Sequence, residues 1–209
     1  MQTKSATIEI AQPKLFTMGA VVAVNAYGLL LVAPLFISIM AVSVMTLSLL
    51  TLLIPLLVVA ATAYFLPFGL GNTHITRLVR SLTPAATKDG EGFIVQLTLS
   101  PRIRSGLRAI LEDADDIGYL SFHGTELLFQ GDSVQLSVPL DCIAQVQPQN
   151  VGLRGRFVYG RRIKVVVSGS PQLESFEVAE RSSLLLPKSR AITKRLFARL
   201  SPKTRQEAP

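Results

Sequence analysis

Residues 15–76 contain no Asp, Glu, Lys or Arg, a charge-free run of 62 positions that few folds tolerate. A bilayer core about 30 Å thick is crossed by roughly 20 helical residues. Drawn as one helix, residues 15–66 would extend roughly 78 Å at 1.5 Å per residue, too long for one crossing and suited to two. The run therefore reads as a transmembrane helical hairpin with spans at 15–39 and 44–66 and a turn within 38–43. Pro67, Gly69 and Gly71 end the second span, and Tyr64, Phe65 and Phe68 suit an interfacial aromatic belt. The apolar part of a signal peptide is about 7–15 residues, several-fold shorter than this run. Two helices that are apolar all round would need a much larger protein to cover them in water.

Orientation follows from the flanks. Residues 1–14 carry Lys4, Lys14 and Glu9, and the chain after the run opens with Arg77, Arg80 and Lys88, while the turn has no positive charge. Under the positive-inside rule both termini face the cytoplasm. The single Cys142 excludes a disulfide framework and suits a reducing compartment. Asn25 is the only amide in the spans and no carboxylate or basic group lies there, so the hairpin reads as an anchor rather than a proton path.

Beyond the run the periodicity changes. Ile75, Leu78, Val79 and Leu82 mark a short amphipathic helix, and residues 81–92, with Pro84 and Gly90, a linker. Phe93, Val95, Leu97 and Leu99 then alternate with Ile94, Gln96, Thr98 and Ser100, the period of a half-buried strand. Residues 119–122 and 127–130 flank His123-Gly124-Thr125-Glu126 as a hairpin, and a second turn falls at Gly131-Asp132. Further strands fit 134–138, 142–147, 156–159, 163–168 and 173–178. About seven short antiparallel strands point to a small barrel or sandwich.

The last segment is helical and basic. Ile192, Leu196, Phe197 and Leu200 form an apolar stripe, with Arg190, Lys194, Arg195 and Arg199 around it. Residues 181–209 hold eight Lys and Arg against one Glu, which accounts for the whole net charge of +7.

Seven strands closed by one amphipathic helix resemble a pleckstrin-homology (PH) domain and its GRAM and bacterial PH-like relatives. The run Gly118-Tyr-Leu-Ser-Phe-His-Gly-Thr-Glu-Leu-Leu-Phe-Gln-Gly, followed by Val138-Pro-Leu-Asp-Cys-Ile-Ala-Gln-Val, carries the resemblance. The resemblance covers roughly residues 92–200. As bacterial inner-membrane proteins often pair such a domain with a transmembrane hairpin, it joins the charge-free run in an expected α+β membrane protein: a cytoplasmic tail (1–14), the transmembrane hairpin (15–66), a juxtamembrane helix and linker (67–91), a PH-like domain with its C-terminal helix (92–200), and a basic tail (201–209). The segment 102–118 departs from the family pattern as an inserted connection, with a short helix at 107–112.

The resemblance also places phosphate-binding arginines in the loop after the first strand, where Arg102, Arg104 and Arg108 stand. Guanidinium forks suit phosphate oxygens; the alternative is that these arginines simply face solvent. Arg154, Arg156, Arg161, Arg162 and Lys164 form a second basic group near Gly152, Gly155 and Gly160, glycines that fit turns or a bulge rather than a phosphate cradle. Lys194, Arg195 and Arg199 make a third, suited to anionic lipid.

Other chemistries fail on spacing. Counted from Asp113, an EF-hand would need ligands where Ile117 and Gly124 stand, so Glu112, Asp113, Asp115 and Asp116 read as a solvated loop or as partners for the arginines. No nucleophile elbow or phosphate loop occurs, and neither a metal nor a cofactor is expected. The Gly152-Leu-Arg-Gly155 stretch lies among strands, unlike a KH loop, and the basic tail lacks interleaved aromatics, which argues against nucleic acid. The expectation is a non-catalytic, membrane-anchored binding or scaffold module whose partner is anionic lipid, a protein or a second copy. The alternative is a subunit of an oligomeric channel or transport system.

Overall fold

The computed structural model describes residues 5–12, 15–17, 19, 33, 36–42, 44–45, 53, 56–57, 69–82, 92–103, 114–149 and 162–201. Its centre is the strand with the clearest alternation, β2 (Phe93–Ser100), which pairs with β3 (Asp116–His123) on one side and β8 (Ser175–Glu180) on the other. From β3 the sheet continues through β4 (Glu126–Gly131) and β5 (Val134–Pro139) to β1 (Thr7–Ile10). From β8 it continues through β7 (Arg162–Val167) to β6 (Ile143–Gln149), so the order is β1-β5-β4-β3-β2-β8-β7-β6, antiparallel throughout. A single 3₁₀ turn, Leu140–Cys142, carries the chain from β5 to β6.

Local chemistry explains the tight corners. The two residues between His123 and Glu126 close the β3–β4 hairpin, and Gly124 there has φ +55°, a conformation that glycine adopts without steric cost. Gly118 and Gly131 face each other across β3 and β4, and a Cβ on Gly118 would overlap the backbone of Gln130 and Gly131. At the β4–β5 corner the buried carboxylate of Asp116 accepts the backbone N–H groups of Ser133 and Val134 at 2.8 and 2.7 Å.

Two apolar clusters lie on opposite faces of the sheet. Val95, Leu97 and Leu99 share the main one with Phe129, Phe176 and other inward strand residues, and α2 (Leu186–Leu200) covers it with Leu196 and Leu200. Ile94 and Tyr119 share the other with Phe16 and with Ile75 and Val79 of α1 (Gly69–Leu82). The short amphipathic helix read in the sequence thus lies against the sheet, and β2 is buried on both faces rather than half-buried.

The expectation of an N-terminal transmembrane hairpin is corrected. Among the described residues no helix is long and apolar enough to cross a membrane. Most of residues 15–66 lie outside the described ones; of those described, residues 36–42 are helical. This stretch occupies most of the place assigned to the turn. The start of the expected first span is tied to the sheet: the backbone N–H groups of Leu15 and Phe16 both donate to Asp132 Oδ2 at 2.8 Å, and Phe16 is buried. A charge-free run reports what its residues avoid, not which apolar surface covers them. The expectation of an integral inner-membrane protein with cytoplasmic termini rested on that hairpin and is corrected with it.

The expected PH-like seven-stranded barrel or sandwich is corrected too. The structure is one curled eight-stranded sheet, a half-barrel that fits a PH-like fold only loosely. The physical reason is the eighth strand: residues 7–10, read as part of a tail, add to the edge of β5, while β5 and β6 stay unpaired with each other and leave the sheet open. The expected strand at 156–159, the short helix at 107–112 and the glycines of the second basic group lie outside the described residues.

Candidate functional site

α2 begins at a proline near its first position, where a missing N–H costs nothing. Its buried residues Leu186, Ser189, Thr193, Leu196 and Leu200 recur at intervals of three and four, which places them on one face. Ile192 and Phe197 flank that face and pack on the main cluster. The opposite side carries Lys188, Arg190, Lys194, Arg195 and Arg199, all exposed, and α2 has no acidic residue. Arg199 also holds its guanidinium 5.8 Å from the ring centre of Phe122, a cation–π arrangement that orients it.

Lys188 lies in the first turn, where the positive end of the helix dipole disfavours a cation. The dipole therefore does not account for Lys188, although it favours Arg199 in the last turn. A helix whose exposed charges are all basic attracts polyanionic surfaces, whose field it meets at several points at once.

The other predicted arginines are placed differently. Arg102 is about one-third exposed and its Nε lies 3.9 Å from Oδ1 of the fully buried Asp115, whose Oδ2 accepts the Leu99 N–H at 2.7 Å. Arg162, at the start of β7, is 7% exposed and its Nη1 lies 3.3 Å from Glu177 Oε2 on β8. Each of these two guanidiniums is turned toward a carboxylate of its own fold. Arg104, Arg108, Arg154 and Arg161 lie outside the described residues. Of the nine predicted residues, Lys194, Arg195 and Arg199 share one exposed surface. Lys188 joins it, as the helical spacing of residues 188, 195 and 199 could have indicated, and Arg190 flanks it four residues before Lys194.

A second polar group, which the sequence did not show, fastens α1. Arg181 is buried and donates from Nε to Asn72 Oδ1 at 2.8 Å and from Nη1 to Gln96 Oε1 at 2.9 Å, while Asn72 Nδ2 donates to the Ser183 carbonyl at 2.6 Å. Glu180 Oε1 accepts the N–H groups of Ser182 and Ser183 at 2.6 and 2.8 Å. These residues lie 85 to 111 positions from their α1 and β2 partners, so no local pattern announces them. Among the described residues no group of three or more His, Cys, Asp or Glu side chains could hold a metal ion. No family model, curated protein or solved structure matches this chain.

Proposed function

We propose that the protein is a non-catalytic binding module that docks on anionic lipid surfaces through the exposed basic face of α2. One observation carries the reading: the net charge of +7 resides in residues 181–209, and α2 presents five exposed cations with no acidic neighbour in the helix. Each Lys or Arg held at an anionic bilayer contributes about 1 kcal/mol, so a row of them supplies useful affinity without a pocket. The channel or transport reading has no observation among the described residues in its favour.

The test is sedimentation of the full chain with vesicles of phosphatidylcholine, with and without phosphatidylglycerol. Binding is expected only to the anionic vesicles and falls as salt rises. The triple variant K194E/R195E/R199E is expected to bind at least roughly 100-fold more weakly, from about 1 kcal/mol per lost cation. Binding that is absent, or indifferent to these charges, sinks the reading; a preference for duplex DNA over vesicles replaces lipid with nucleic acid.

A further inference from the structure

Just before α2 stand two adjacent leucines whose exposure nothing in the fold requires. Leu184 and Leu185 are 45% and 46% exposed, although Arg181, Ser183 and Leu186 around them are buried. The segment is held in place: Ser183 donates its N–H to Glu180 Oε1, its carbonyl accepts from Asn72 Nδ2, and the Leu185 N–H donates to Ser183 Oγ at 3.2 Å. On the other side the Leu185 carbonyl accepts the Ser189 N–H at 2.9 Å, which joins the turn to the helix. The pair is thus presented on a hydrogen-bonded turn, and Lys188 and Arg190 follow within about one helical turn.

We infer that Leu184 and Leu185 form an apolar wedge that enters the anionic lipid surface on which α2 docks. The inference rests on the docking proposed above and adds what charge alone does not supply. Cations draw the helix to the headgroups, and apolar side chains beside them gain by passing below the headgroup layer. The pairing of exposed leucines with flanking cations matches a bilayer, which has a charged face over an apolar one; duplex nucleic acid offers only the first. A second copy of the chain would bring like charges together at the same surface, which disfavours it as occupant.

The chain contains no tryptophan, so Leu185→Trp introduces a sole indole at the wedge. The full-length variant is expected to emit as a solvent-exposed indole in buffer. With phosphatidylcholine–phosphatidylglycerol vesicles its emission shifts to the blue, and acyl-brominated lipid quenches it. In parallel, the double variant L184Q/L185Q is expected to bind the same vesicles on the order of 10-fold or more weakly, since each leucine loses its apolar transfer, with the residual binding still sensitive to salt. If L185W sediments with the vesicles while its emission stays unshifted and unquenched, the wedge is wrong and the docking of α2 stands. Unchanged affinity in L184Q/L185Q likewise overturns the wedge alone. A blue-shifted emission in buffer means that the chain or a second copy already covers the leucines, and it overturns the wedge. Failure of the unmodified chain to bind overturns both.

Discussion

Two aspartates show how single residues hold this fold. Asp116 draws the β4–β5 corner onto the start of β3, with Oδ2 accepting from Ser133 and Val134 and Oδ1 from Ile117 at 2.8 Å. Replacing it by alanine strands buried N–H groups, so Asp116→Ala is expected to lower stability by about 3 kcal/mol, measured as an earlier urea midpoint. Asp132 does the same for the N-terminal segment through Leu15 and Phe16. Phe16→Ala removes a buried ring from among Ile75, Val79, Ile94 and Tyr119 and is expected to cost about 3–5 kcal/mol in the same assay. A ring that faced lipid, or nothing, would leave the midpoint in place. The acidic run was legible as charge but not as role. Asp115 is indeed turned to an arginine, but Asp116 spends its carboxylate on backbone groups 17 and 18 residues away, a distance no local pattern spans.

At the scale of elements, alternation was the dependable signal. The odd residues of β2 enter the main cluster, and the turns at Gly124 and at Gly131-Asp132 lie between the strands they were expected to join. The second face of β2 was misread because a strand's pattern reports polarity, not coverage: Gln96 looks solvent-facing until Arg181 reaches it under α1. That buried arginine is expected to be the fastener of α1. Arg181→Met deprives Asn72 Oδ1 and Gln96 Oε1 of these donors and is expected to destabilise the chain by about 2–4 kcal/mol. In hydrogen exchange the amides of α1 should lose protection earlier than those of β4, which shares none of these bonds. Equal loss in both elements would mean that α1 does not open separately.

For the molecule as a whole, the consequential feature is an open sheet in which a short strand from the N-terminal segment covers β5 and becomes the edge. β1 covers β5, and Ala11 extends the pairing by donating its N–H to the Ser133 carbonyl at 2.7 Å. Unpaired strand edges recruit other edges. A chain lacking residues 1–11 exposes the six-residue β5 in place of the four-residue β1 and is therefore expected to self-associate more strongly than the full chain, seen as a steeper rise of sedimentation coefficient with concentration. The same scale governs the charge. All of the net +7 lies in residues 181–209, and folding of α2 turns five of the eight Lys and Arg there into a surface, because the apolar stripe is consumed by the main cluster and these cations are left outside, whereas Arg181 is buried.

The sequence alone determined the local periods: two along the strands, three and four along α2, and glycine at the tight β3–β4 turn. It determined these because side-chain direction follows from backbone geometry within a few residues. Only the tertiary structure decided what each face meets. It set β1 on β5, Phe16 beneath α1, Arg181 against Asn72 and Arg162 toward Glu177. It also removed the support for a transmembrane hairpin, since hydropathy measures the cost of contact with water and is silent on which apolar surface relieves it.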